Sequence, residues 1–183
     1  MHPALVVLGV AAPVVAVREG LLWHQRLERR RDVYAAAQAR ARLLDRPLVV
    51  VGDPDGGPTN PGPMYGDLCV DLTGCPVAPR GVRADISQPH SIPMADDSAV
   101  VCVLCVFELV PDIRAAEREV LRVAGSPRNV FVVVMQPSSL SAWLYPGVQW
   151  IISDAQPNVD SLVYRSSKIG RDPHDVTSLL VHR

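Results

Sequence analysis

Two short apolar runs end in an acid, Asp71 after LCV and Asp85 after GVRA, and a third breaks into the glycine-rich turn Gly52-Asp53-Pro54-Asp55-Gly56-Gly57. A carboxylate at a strand end can accept hydrogen bonds, and glycines after a strand let the backbone approach a ligand, as at the start of many nucleotide-binding sheets. Neither G-x-G-x-x-G nor G-x-x-x-x-G-K-[ST] is present, however. Asp53, Asp55 and Asn60 hint at a calcium loop, but their spacing is wrong for an EF-hand and turn chemistry accounts for them. Cys102 and Cys105 form a C-x-x-C inside AVVCVLCVFELV, which invites a metal or redox reading. In a strand, residues three apart point to opposite faces, so the expectation is buried thiols in a reducing compartment and no metal site. His24, His90 and His174 are isolated, and no Ser-His-Asp set or paired carboxylates stand out, so no catalytic residue is assigned.

The elements that must position these residues are legible in order. Residues 1–17 carry no full charge, and Trp23 and a crowd of arginines follow. The reading is a transmembrane anchor over residues 1–19, kinked at Pro13, with a buried N-terminal helix as the alternative. Arginines behind an apolar segment place the rest of a single-pass protein on the cytoplasmic side and suit anionic headgroups. Residues 20–46 form an amphipathic basic helix, with Trp23, Leu27, Tyr34, Ala37, Ala41 and Leu44 on one face and Arg29–Arg31 solvated.

Residues 47–183 read as one α/β domain. Apolar strands are expected near residues 47–51, 67–73, 82–86, 99–109 and 129–136, and a helix over 112–124 between Asp112 and Gly125. Seventeen prolines break the chain, and the three connections after the first three strands are too proline-rich for crossover helices. Two later strands, at 148–153 and 161–164, read as an antiparallel hairpin at a sheet edge. A parallel sheet needs both faces covered. With so few helices, one face is expected to lie under extended loops or another protein. The net charge of -1 excludes a global field for nucleic acid.

Within residues 81–125, three pieces stand in a recognisable order: Ile92-Pro93-Met94 with Asp96-Asp97-Ser98, then Phe107-Glu108-Leu109-Val110-Pro111-Asp112, then Glu119-Val120-Leu121-Arg122-Val123. Together with the strand pattern of residues 48–136 they resemble the class I S-adenosylmethionine-dependent methyltransferases of the small-molecule branch. The resemblance implies a mostly parallel Rossmann-like sheet with a terminal antiparallel hairpin, here with several crossover helices lost. It also implies a cofactor site: Gly52, Asp53 and Gly56 along the methionine part, Asp71 at the ribose hydroxyls, and Asp85 with Ile86 at adenine. Each position also has a structural reading as a turn or strand-end cap. The chain departs from the family in its GDPDGG loop, in the prolines that follow, at Ala99 in place of a usual Asp, and at Leu109 in place of a frequent His.

Two functions are therefore expected. The first is a membrane-anchored, non-catalytic, methyltransferase-like accessory subunit that contacts lipid through its N-terminal helix, docks on other subunits of a membrane complex, and needs no cofactor. The second is an active methyltransferase using S-adenosylmethionine on a lipophilic acceptor at the membrane surface.

Overall fold

Short runs of valine build the sheet. In a computed structural model, which describes residues 3–52, 64–107, 109–133, 151–154 and 165–168, β1 (Leu48–Val51), β2 (Leu68–Asp71), β3 (Gly81–Arg83), β4 (Val100–Leu104) and β5 (Val130–Val133) run parallel. Their order is β3-β2-β1-β4-β5. Val50 stands between Cys69 and Cys102, and Cys102 pairs on with Phe131, so one row of side chains crosses the sheet. Both faces are buried, which is why β1, β4 and β5 are apolar throughout rather than alternating. The expected α/β class is the observed one.

One face lies under α1 (Pro3–Leu44), a single helix of 42 residues with Pro13 inside it. The two segments expected on either side of residue 20 are thus one continuous rod. It ends where Asp45 turns left-handed at φ 51° and Pro47 opens β1. Val33, Ala37 and Ala41 pack on Val50, Cys102 and Phe131, with Tyr34 and Leu44 at the margin. Arg30 is buried as well. The expectation of a solvated arginine run fails there, because residues 30, 33, 37 and 41 share one helical stripe and whatever occupies it faces the sheet. Leu44 leads directly into the start of β1, so α1 runs antiparallel to the strands. At 1.5 Å per residue the part before Arg30 projects roughly 40 Å past the strands' C-terminal edge. Val14, Val15, Val17 and Leu21 on that arm are exposed. Among the described residues no helix is long and apolar enough to cross a membrane, so the structure gives the expected anchor no support.

On the other face α2 (Ile113–Ala124) buries Ile113, Ala116, Val120 and Val123 against Val49, Val101, Val103 and Val132. Asp112 caps it by accepting from the Ala115 N–H at 2.9 Å, and Gly125 closes it at φ 66°. Beyond α2, the long β3–β4 connection covers the sheet with Ile86 and Ile92, and Phe107 and Val110 follow β4 into the same cluster. That connection is held by a pair on α2. The Glu119 carboxylate accepts from the backbone N–H of His90 and of Ile92, each at 2.9 Å. Arg122 donates to Glu119 at 2.8 Å, to the Ile92 carbonyl at 3.0 Å and to the Met94 carbonyl at 2.8 Å. The face expected to need loops or a partner is covered by the chain's own loop.

The β2–β3 connection has its own fastening. Cys69, on the α1 side of β2, forms a disulfide with Cys75. Cys75 is buried and lies against Gly81, where an added Cβ would meet the Cys75 carbonyl. Cys102 and Cys105, the pair expected to be buried thiols, remain thiols, Cys102 buried and Cys105 partly so. Finally, β6 (Ile151–Asp154) and β7 (Arg165–Lys168) pair antiparallel, as a sheet of their own rather than an edge of the larger one. The second strand falls a few residues later than the pattern of residues 161–164 suggests. Residues 137–147, whose sequence could hold a short serine-capped helix, and those after 168 lie outside the described residues.

Two outcomes follow for stability. Burial alone would raise the Glu119 carboxyl, but hydrogen bonds from Arg122, Ile92 and His90 together with the guanidinium charge hold it below its ordinary value. A depressed folded-state pKa stabilises above the unfolded value of about 4.3 and is lost as pH falls through the folded value. Urea denaturation of wild type and Glu119→Gln should show a wild-type advantage at pH 7 that shrinks steadily below about pH 4; a gap constant with pH would contradict the assignment. Removing the short disulfide loop with Cys69→Ser and Cys75→Ser together should cost about 2 kcal/mol, read as a lower urea midpoint.

Candidate functional site

The strand order reverses at β1, whose neighbours are β2 on one side and β4 on the other. In open parallel sheets, ligands bind outside the carboxyl ends of the strands at such a switch point. A cleft of about 350 Å³ opens there. Gly52 enters it from the end of β1, Asp71 and Thr73 from β2, Asp85 and Ile86 after β3, and residues 105–106 and 109–111 after β4. Four of the six residues singled out in the sequence are thereby brought together. Asp53 and Gly56 lie outside the described residues.

Gly52 adopts φ 95° and donates its N–H to the Val70 carbonyl at 2.9 Å. A Cβ added there would stand 2.6 Å from the Leu104 carbonyl oxygen and against the Val106 side chain. Glycine is therefore demanded by the close approach of β1 to β4, whether or not a ligand is bound. Asp71 Oδ1 accepts from the Thr73 N–H at 2.7 Å and its hydroxyl at 2.6 Å. Asp85 Oδ1 does the same with Ser87, at 2.9 Å and 2.6 Å. Both acids thus cap turns, as their structural reading has it. The turns also fix where they point: Asp71 Oδ2 keeps no partner among the described residues. The Ser87 hydroxyl and then its backbone N–H hold the Asp85 carboxyl below its ordinary range, so it is a charged acceptor at neutral pH. Ile86 is buried between Asp85 and the core.

The sequence reading missed the wall. β4 does not continue to Leu109; it stops at Leu104, and Cys105 turns left-handed at φ 54°. The Val106 carbonyl then accepts from Leu109 N at 2.8 Å and Val110 N at 3.2 Å, folding the segment into a turn beside the cleft. Val106, Leu109, Val110 and Pro111 give it an apolar side. Pro111 and Asp112, a helix-start pair, were the signal that a turn had to intervene. The same stop undoes the alternation argument for the C-x-x-C. Cys105 packs with the α1-side cluster that contains Cys102. Cys102 is an inert buried thiol, its pKa pushed up to about 12, chiefly by burial.

Among the described residues no group of three or more His, Cys, Asp or Glu is placed to hold a metal ion. His24 is exposed, 3.3 Å from Glu28 on its own helix, and His90 serves the loop through its backbone. What the cleft offers is two carboxylate acceptors on neighbouring strand ends, a bare backbone turn and an apolar wall. That set suits hydroxyl and amine donors on a partly apolar molecule. No protein-family model, curated protein or solved structure gives a significant match to the chain.

Gly52→Ala should lower stability by about 2 kcal/mol or more, because it adds both a forced positive φ and overlap with β4. A urea midpoint unchanged from wild type would show that β1 and β4 can part at that point without cost.

Proposed function

We propose that this chain is a methyltransferase-like binding domain, held at a membrane by its apolar helical arm, whose cleft takes an adenosine-bearing ligand of the S-adenosylmethionine kind. The observation that carries the reading is the meeting of Gly52, Asp71, Asp85 and Ile86 at one switch-point cleft. In it Asp71 accepts from the ribose hydroxyls, and Asp85 with Ile86 holds the adenine. The role favoured is that of a non-catalytic accessory subunit of a membrane assembly, with ligand binding kept as a structural or sensing function. The glycine turn departs from the family pattern, and prolines follow it where the family has a helix. The second reading is an active methyltransferase on a lipophilic acceptor. The apolar wall of Val106, Leu109, Val110 and Pro111 favours it, since methyl transfer needs a shielded, in-line approach more than acid–base help.

The two sides of the membrane remain distinguishable by chemistry. The arginines behind the arm favour a cytoplasmic domain, whereas the Cys69–Cys75 disulfide is a feature of oxidising compartments. Differential alkylation of Cys69 and Cys75 in intact cells decides between them.

Titration calorimetry of the full chain with S-adenosylmethionine and S-adenosylhomocysteine tests the ligand. Micromolar binding is expected, weakened about tenfold or more by Asp71→Ala and by Asp85→Ala, each of which removes a hydrogen bond to a charged acceptor. No binding by a folded wild type would overturn the ligand, and stable co-purification with a detergent-solubilised complex would then leave the accessory role alone.

A further inference from the structure

Two leucines stand out at the mouth of the cleft. Leu72, 64% exposed, follows Asp71 on one rim, and Leu109, 46% exposed, sits on the other. Neither side chain is needed by the fold, since neither belongs to the buried clusters. The helical arm leaves the sheet past this same edge, because α1 runs antiparallel to the strands and the cleft opens at their C-terminal ends. Three separate stretches of chain therefore present apolar surface at one end of the molecule.

We infer that this end rests on an anionic lipid surface, with the mouth of the cleft against the bilayer, so that whatever meets the bound ligand comes from the lipid phase. The inference builds on the membrane reading above and adds the orientation of the cleft. The arm's pattern points to lipid rather than to a protein groove. Residues 13–17 are apolar and all exposed, so over this turn and a half no single stripe is set aside for a partner. A helix that is apolar all round suits lipid, whereas a groove takes one amphipathic face. The charge is complementary as well: the exposed Arg31 follows the apolar part of the arm in sequence, where it can meet anionic headgroups. A lipid-phase molecule entering between Leu72 and Leu109 would pass along the apolar wall and never cross water.

The test uses the full chain on vesicles of mixed phosphatidylcholine and phosphatidylglycerol that carry a diazirine-bearing acyl chain. After photolysis, labelled peptides are mapped by mass spectrometry. Label is expected in the arm and at both rims, around residues 72 and 109, and not around residues 40–46 at the opposite edge. In phosphatidylcholine alone, rim labelling should fall about fivefold or more, the loss of one arginine's attraction to the surface. Leu72→Ser with Leu109→Ser should remove rim labelling and leave arm labelling in place. Label confined to the arm overturns the inference and leaves membrane attachment standing; no label anywhere overturns both. Ligand binding is read separately by calorimetry, so its failure does not affect this result.

Discussion

The Glu119–Arg122 pair on α2 is the interaction on which the unusual economy of this fold depends. A parallel sheet must be covered on both faces, and helices normally do this while satisfying their own backbone groups. The chain spends residues 84–99 crossing the sheet as an irregular, proline-rich segment instead. Such a segment brings backbone donors and acceptors to a buried surface with no helix to pair them. Glu119 takes two of its N–H groups, and Arg122 takes the Ile92 and Met94 carbonyls and also reaches Asp96 at 2.7 Å. The two side chains also bond each other, so neither charge is buried alone. One acid and one base a helical turn apart thus replace much of a missing crossover. The same segment carries Asp85 and Ile86, so the cleft inherits its geometry from the clamp.

The disulfide answers the same problem on the opposite face. α1 reaches β1, β4 and β5 but does not extend its cover to β2. There the 72–80 loop folds back over the sheet edge and Cys75 is tied to Cys69. Short local fastenings stand in for helices on both sides, which explains how so few helices can bury five strands.

The sheet and α2 were legible because their signals are local. Runs such as LVVV and VFVV are too short and too β-branched for helices, and Asp112 with Gly125 brackets α2 on capping chemistry alone. Asp71, Asp85 and Gly52 were singled out through the family resemblance, and they meet because each stands at or just past a strand end beside the switch point. What escaped was set by contacts distant in sequence. The stop of β4 at Leu104 depends on a left-handed Cys105, a conformation that nothing in a run of apolar residues announces. The burial of Arg30 follows from which helical stripe meets the sheet, and a dense arginine run hides that choice. The clamp lay unread inside the E-V-L-R-V piece, where Glu119 and Arg122 counted only toward the family resemblance. Its backbone partners lie 27 to 30 residues away.

Structural and ligand-binding readings of the acids are not rivals in this geometry. An Asx-type turn occupies one carboxylate oxygen and, in doing so, removes the side-chain freedom that a ligand would otherwise have to freeze. Asp71 and Asp85 each direct Oδ1 to their own turn, and the lowered Asp85 carboxyl shows that such bonds also keep the acceptor ionised. A cap of this kind is a preorganised hydrogen-bond acceptor. Gly52 carries the same double meaning: the close approach that forbids a side chain is also what leaves the cleft floor as bare backbone. The features that let the strands end neatly are therefore the ones that leave fixed acceptors and bare backbone at the cleft.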